Sequence, residues 1–434
     1  MQKPETHEVE ITALSHDGRG VSRIDGKTVF VTGALPGERA VVKVSARHRN
    51  FDEGRVETLL TRSPDRIEPR CPHFGVCGGC ALQHLPASAQ IAAKQRVLAE
   101  NFERIGKIEP KRWLDPLTDA EWGYRRKGRL SVKWVAKKGR VLVGFREENP
   151  RFVADLSVCH TLLPEIGLRI ASIGELVGSL DAKETIAQIE IAAGDAVVAL
   201  VFRHLQPLSA ADAARLMAFG KANELAILLQ PGGPDSVHAL WPEDVRLAFR
   251  IEGSDVEIAF EPLDFVQVNS GMNERMVART LELLDPASDD RVLDLFCGLG
   301  NFTLPIARRA GSVVGVEGEA GLVARARQNA VANGLANVEF ASADLAADQR
   351  GAPWATRDYG KILLDPPRSG AAAVLDYLPR KNTRRIVYVS CHPGSLARDA
   401  GTLVERHGFE LRAAGVMDMF PQTAHVESIA LLER

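Results

Sequence analysis

Two apolar runs in this chain stop abruptly at side chains able to do chemistry. KILL at 361–364 ends at Asp365-Pro366-Pro367-Arg368, and RIVYV at 385–389 ends at Ser390-Cys391-His392-Pro393. A β-branched run that breaks at a Pro turn is how a buried parallel strand reads when it delivers a side chain at its carboxyl end. Open α/β sheets bind ligands outside those ends, so neighbouring strands would bring the Asp365 carboxylate and the Cys391 thiol to one crevice. A thiol so placed is a candidate nucleophile. Cysteine is also common as a small apolar core residue. The strand end beside a Pro turn favours the nucleophile for Cys391, whereas Cys297, inside a glycine-rich turn, reads as core.

The elements that must position this pair form a regular α/β alternation from about residue 256 onward. Phe265-x-Gln267-x-Asn269 enters a helix near Ser270, and 292–296 is a strand. A turn, Cys297-Gly-Leu-Gly300-Asn301-Phe302, leads into a helix over 303–309. A second strand, 313–317, ends at Glu317, 23 residues after Asp294; a carboxylate at about that spacing takes a ribose diol in Rossmann-like sheets. A helix over 319–333 and a strand over 338–341 come next, with Asp344 after them, and strands at 362, 386, 411 and 428 complete a seven-strand set. A G-x-G turn alone is weak evidence. G-x-G-x-F, opened by Asp294 and followed by an acidic residue after the third strand, points to an S-adenosylmethionine-dependent methyltransferase rather than a nicotinamide enzyme.

The rest of the chain is long enough for further domains. Its 434 residues imply two to four, and 45% apolar with 25% charged residues is ordinary for a soluble globular protein. The start, MQKPETHEVE, lacks a signal-peptide core and no apolar run reaches membrane-spanning length, so a cytoplasmic monomer with no membrane contact is expected. In that compartment six cysteines point to metal or catalysis rather than disulfides. The net charge of −2 excludes nothing, but residues 94–140 hold 14 Lys+Arg against 6 Asp+Glu, an excess of 8. That stretch reads either as a phosphate-binding face or as a solvated helix surface. Within it, a basic helix over 89–104 and Trp122-Gly-Tyr124-Arg125-Arg126-Lys127 offer cations and aromatics to RNA.

Residues 1–62 alternate short strands with Gly-rich turns and predict a small closed barrel. HDGRGVSR and the LPGE turn resemble the TRAM domain, an OB-like module of RNA-modifying enzymes, and its Lys, Arg and aromatic residues suit single-stranded RNA. Residues 63–94 form a linker and a cysteine segment in which Cys71, Cys77 and Cys80 follow the pattern C-x5-C-G-G-C. Glycines let the backbone fold tightly under ligands, and Cys159 is the best fourth thiol. Zinc fits the spacing too, with His73, His84 or His160 as a nitrogen donor. Residues 95–255 read as a central α/β domain, and 256–434 as the methyltransferase domain.

The whole chain resembles one family, the bacterial RNA (uracil-5-)-methyltransferases, through C-x5-C-G-G-C, F-x-Q-x-N, D-L-F-C-G-x-G-N-F, D-P-P-R, S-C-x-P and the late H-V-E. Within it, the similarity is greatest to the 23S rRNA enzyme that carries a TRAM domain and an iron–sulfur cluster. The resemblance implies a [4Fe-4S] cluster on Cys71, Cys77, Cys80 and Cys159. It implies an S-adenosylmethionine pocket of Gln267, Phe296, Asn301, Glu317, Asp344 and Asp365, and Glu427 as the base that removes the C5 proton. Uracil C5 is too weak a nucleophile to take a methyl group unaided, and a thiolate adding at C6 cures that, which gives Cys391 its role. The family usually has Asn after the nucleophile where this chain has His392, so no role transfers to residue 392. Competing readings are the same chemistry on tRNA or another rRNA uridine, an exocyclic-amine methyltransferase, and a non-catalytic iron–sulfur RNA-binding factor. The second expects an aromatic where Arg368 stands and has no use for Cys391; the third leaves the cofactor pocket unexplained.

Overall fold

The computed structural model describes residues 6–434; the first five residues of the barrel expected over 1–62 lie outside them. The C-terminal part is built on an eight-stranded sheet. Seven of its strands are the expected set: β1 Arg291–Leu295, β2 Ser312–Glu317, β3 Val338–Ser342, β4 Lys361–Leu364, β5 Arg385–Ser390, β6 Glu410–Met417 and β7 Glu427–Glu433. The order is β3-β2-β1-β4-β5-β7-β6, parallel except for β7, which runs antiparallel to β5 and β6. Both faces are covered, so the strands are uniformly apolar: Leu293, Leu295, Ile362 and Leu364 face one layer, and Val292, Leu363, Val387 and Val389 the other.

The eighth strand, Arg112–Trp113, comes from far earlier in the chain and pairs in parallel with β6. Helix α1, Ala87–Asn101, precedes it and lies on the same sheet, burying Leu98 in the layer that holds Leu293 and Ile362. The sequence boundary at 94/95 therefore cuts through a helix of the C-terminal unit. The boundary at 255/256 cuts a hairpin, Leu247–Ile251 with Val256–Phe260, whose strands bury into the other layer. Sequence pattern marks where elements begin, but an edge strand recruits whichever segment covers it.

The N-terminal barrel has six strands. Thr6–Glu10 pairs with Arg39–Arg47 and, after a bend, Ala13–Leu14 pairs with Gly20–Ile24, so one bent run closes the sheet on itself. Gly54 is obligatory at a crossing inside it, since a Cβ there would stand 2.5 Å from Val42 Cγ1. The central six-stranded sheet spans residues 127–241. Its first strand, Lys127–Val135, follows the segment expected to grip RNA, and here the structure corrects the sequence. Tyr124 is buried with its hydroxyl donating to Pro421 O at 2.9 Å, Arg126 pairs with Asp195 at 2.8 Å, and the buried Lys127 donates to Pro262 O. Lys94 of α1 is likewise buried against Asp418 at 2.6 Å. These cations hold the units together, and none is free for a phosphate.

Candidate active site

Helix α5, Pro393–His407, follows β5 after a two-residue turn, so Cys391 stands at the carboxyl end of the strand and just before the helix. Ser390 of β5 is the partner of Ser428 of β7, and the Ser428 hydroxyl donates to Ser390 O at 3.1 Å. The next step in that antiparallel register sets Cys391 opposite Glu427. Asp365 follows Leu364, which lies between Leu295 and Tyr388 in the sheet. One end of three adjacent strands thus gathers the expected Asp365 and Cys391 together with Glu427.

Their charges follow from burial. Burial, then the Glu427 and Asp365 carboxylates, push the Cys391 thiol up to about 11, with the Arg368 guanidinium opposing them. Burial, then Asp365, raises Glu427 well above the usual carboxylate range, and burial pushes Asp365 up to about 7. Burial thus favours the protonated form of both Glu427 and Cys391. A cation arriving between them favours both charged forms.

His392 is the N-cap of α5: its Nδ1 accepts the Ser395 N–H at 3.1 Å. Burial, then Arg368, His16 and Arg398, hold its pKa below the ordinary value. Its Nδ1, accepting a backbone N–H, serves the helix end rather than the thiol.

At the neighbouring strand ends, Phe296 follows β1 with φ +65°, a conformation a bulky residue adopts only when its surroundings impose it. The Phe296 and Cys297 N–H groups both donate to Val316 O, at 2.9 and 3.1 Å, and Gly298 and Gly300 continue the turn at positive φ. Glu317 ends β2 and accepts from Gly298, Gly318 and Glu319 N–H groups at 3.1, 2.7 and 3.1 Å. Asp344 lies beyond β3, exposed and bonded to the Ala346 N–H. Phe296, Glu317, Asp344 and Asp365 thus occupy one edge of the sheet. The Asn301 amide pairs reciprocally with Asn273, 2.9 Å both ways, tying the turn to helix α2, Ser270–Leu284. Gln267 lies just before that helix, half-buried, beside Phe265, which is 73% exposed.

Sequence reasoning missed three features. Asn273 carries no motif signal. Asp294, taken only as an opening acid, is fully buried, accepts from Thr303 Oγ1 at 2.5 Å and is pushed up to about 8 by burial, Asp365 and Glu317. The third is Gln422, at φ +70°, in the loop that leads to Glu427. Its carbonyl accepts from Ala81 and Leu82 N–H, both at 3.0 Å, and its side chain and N–H exchange bonds with Gln90 at 3.0 and 2.9 Å. The cysteine segment is thereby fastened to the catalytic loop.

A cleft of about 860 Å³ opens over Cys391, lined also by His16, Asp17, Arg96, Arg104 and Arg368, so the barrel and α1 form its far walls. Behind it, Cys71, Cys77, Cys80 and Cys159 line a second cavity of about 320 Å³ with Arg125. Gly78, Gly79, Thr423 and His425 border both. Burial pushes Cys77 to about 11 and Cys80 to about 12, and the neighbouring thiols add to both. Among the described residues, no three His, Cys, Asp or Glu are grouped as a site for a single metal ion. Of the nitrogen donors considered, His73 Nε2 accepts the Ser157 N–H at 3.0 Å and His84 lies off this cavity. The cavity offers four thiols, Cys159 buried and Cys71, Cys77 and Cys80 half-buried, with Arg125, His73 and His160 beside them; a thiol-rich set with a guanidinium suits an anionic, thiolate-bound centre.

No helix among the described residues is long and apolar enough to cross a membrane. The family model for tRNA (Uracil-5-)-methyltransferase matches residues 183–434, and that for the TRAM domain residues 2–56. The chain is 61% identical to the 23S rRNA (uracil(1939)-C(5))-methyltransferase RlmD of Xylella fastidiosa, covering 98% of this chain and 97% of the relative. It is also 61% identical to the protein of that name from Xanthomonas campestris pv. campestris, over 98% and 96%. Among solved structures, the Pyrococcus abyssi tRNA (uracil-54, C5)-methyltransferase in complex with S-adenosyl-L-homocysteine shares the fold, with TM-score 0.75 at 23% identity over 98% of this chain and all of that one. A thiol and a carboxyl facing each other across β5 and β7, in a sheet matched along its whole length by such relatives, make this chain a member of the RNA (uracil-5-)-methyltransferase family.

Proposed function

We propose that the protein transfers a methyl group from S-adenosylmethionine to C5 of one uridine in 23S rRNA, in the cytoplasm. The observation that carries the reading is Cys391, lining a cleft of about 860 Å³, with the buried Glu427 opposite it in the register of β5 and β7. Cys391, as thiolate, bonds to uracil C6, and the electron pair moves to C5–C4–O4 as an enolate. C5 would take the methyl group that S-adenosylmethionine supplies, leaving S-adenosylhomocysteine as a neutral thioether; the protons that Cys391 and Glu427 give up beforehand pass to solvent. Glu427, by then a carboxylate, removes the C5 proton, and the C6–S bond breaks to release Cys391 and 5-methyluridine. Arg368 is the cation that favours the thiolate. Phe265, exposed beside Gln267, is available to stack on a base. Ribosomal RNA from a deletion strain should lack a single 5-methyluridine in 23S rRNA, restored by the gene; loss of a tRNA 5-methyluridine instead overturns the substrate.

Methyl-donor binding should depend on pH through Asp365. Its carboxyl, pushed up to about 7, is neutral in acid, and a sulfonium prefers it ionised. S-adenosylmethionine should therefore bind more tightly as pH rises from 5 to 7, by up to about tenfold per unit. The uncharged thioether S-adenosylhomocysteine should show little of this trend in parallel calorimetric titrations. Equal slopes for the two ligands would remove Asp365 from the sulfonium site.

Cys71, Cys77, Cys80 and Cys159 are the ligands we assign to a [4Fe-4S] cluster, supported by their shared cavity and the Arg125 cation. Its role in this reading is structural: it fixes the segment that holds Gln422. Protein purified without oxygen should be brown with broad visible absorption; a colourless protein carrying one zinc contradicts the assignment.

RNA grip falls to the cations that face the cleft. Removing Arg96 and Arg104 together should lower the slope of log affinity against log salt by roughly 0.7 per charge. S-adenosylmethionine affinity should not change. An unaltered salt slope would place the RNA on another face.

A further inference from the structure

We propose that His392 is a substrate-contacting residue whose imidazole Nε2–H donates a hydrogen bond to a backbone phosphate next to the target uridine; this rests on the reading that the cleft takes RNA. The tautomer follows from geometry. A backbone N–H can only donate, so the 3.1 Å contact from Ser395 N makes His392 Nδ1 an acceptor. The Ser395 hydroxyl donates to His392 O at 3.0 Å, so it also leaves Nδ1 its lone pair. A neutral imidazole with an unprotonated Nδ1 carries its proton on Nε2. His392 is exposed and lines the cleft beside Cys391, so that N–H has the cleft before it.

The surroundings select an anion. The imidazole caps the amino end of a 15-residue helix, where exposed N–H groups and the helix dipole favour negative charge. Arg368, His16 of the barrel and Arg398 act on the ring; the cleft it lines also holds Arg96 and Arg104, with Asp17 and Glu100 as its carboxylates. Burial and the first three of these groups hold the pKa of the ring below its ordinary value. One side chain thus does two things: it holds the helix that follows the nucleophile, and it presents a donor one residue from Cys391. The same pair of functions is open to an amide side chain, whose oxygen can cap while its NH2 donates.

The test separates the two functions. In H392S the hydroxyl caps the helix but is too short to reach outward; in H392N the amide does both. Each variant, as full-length protein with its native metal content, is compared with wild type by thermal melting and by affinity for a 23S rRNA fragment with 5-fluorouridine at the target. H392S should melt like wild type but bind RNA about tenfold more weakly, and H392N should recover most of the difference. A methylphosphonate at the phosphate 5′ or 3′ of the target should weaken wild-type binding at one of the two positions by a similar factor and leave H392S unaffected. If wild type binds and H392S binds equally well, the inference is overturned. If the methylphosphonates weaken both proteins alike, His392 does not meet a phosphate. If wild type itself does not bind the fragment, the reading of the cleft fails instead.

Discussion

Cys391→Ala should reduce methyl transfer by about four to six orders of magnitude, the scale on which a covalent enzyme loses its nucleophile. Nothing else should change much. The side chain is small and half-buried, and no hydrogen bond from its sulfur holds another element, so melting should shift little. RNA and S-adenosylmethionine should bind as before, because the phosphate-facing cations and the strand ends of β1, β2 and β4 are untouched. Single-turnover methylation with labelled methyl donor checks the rate, and equilibrium binding checks the rest. Residual activity within tenfold of wild type would mean that C5 is activated by another group.

Glu427→Gln should fail at a later step and therefore look different. Methyl transfer precedes removal of the C5 proton, so addition and methylation can proceed while release cannot. A covalent, methylated protein–RNA adduct should accumulate on denaturing gels, with steady turnover down by about 10² to 10⁴. Burial raises the Glu427 carboxyl well above its ordinary range and so favours the uncharged form; a neutral amide of the same shape should leave the fold as stable as before. Cys391→Ala/Glu427→Gln should form no adduct at all. Normal turnover by Glu427→Gln removes Glu427 from the mechanism.

The methyltransferase sheet was legible because parallel strands buried on both faces read as continuous apolar runs, and the seven strands fall where those runs do. The register that sets Cys391 against Glu427 was not legible. The two residues are 36 positions apart, and only the antiparallel insertion of β7 between β5 and β6 brings them together. Family resemblance supplied Glu427 where local pattern could not. The misreading of Tyr124, Arg126 and Lys127 has a general cause. A cation on a sequence has no partner, whereas Asp195, Asp418 and the Pro262 carbonyl become partners of Arg126, Lys94 and Lys127 only after folding. Asn301 likewise gains a partner that no motif signals, since it exchanges two hydrogen bonds with Asn273 only after folding. His392 went the other way: a departure from the family pattern that left its role open is explained by the hydrogen bond it accepts from Ser395.

The central claim is a covalent bond between Cys391 and the target uracil. Wild-type protein incubated with S-adenosylmethionine and a 23S rRNA fragment bearing 5-fluorouridine should stall after methyl transfer, because fluorine at C5 cannot leave as a cation. Digestion and mass spectrometry should then find a methylated fluorouridine on the peptide that contains Cys391, and on no other peptide. Recovery of the adduct on Cys297 or on Cys71, Cys77, Cys80 or Cys159, or methylation with no protein-bound nucleotide, would contradict the account.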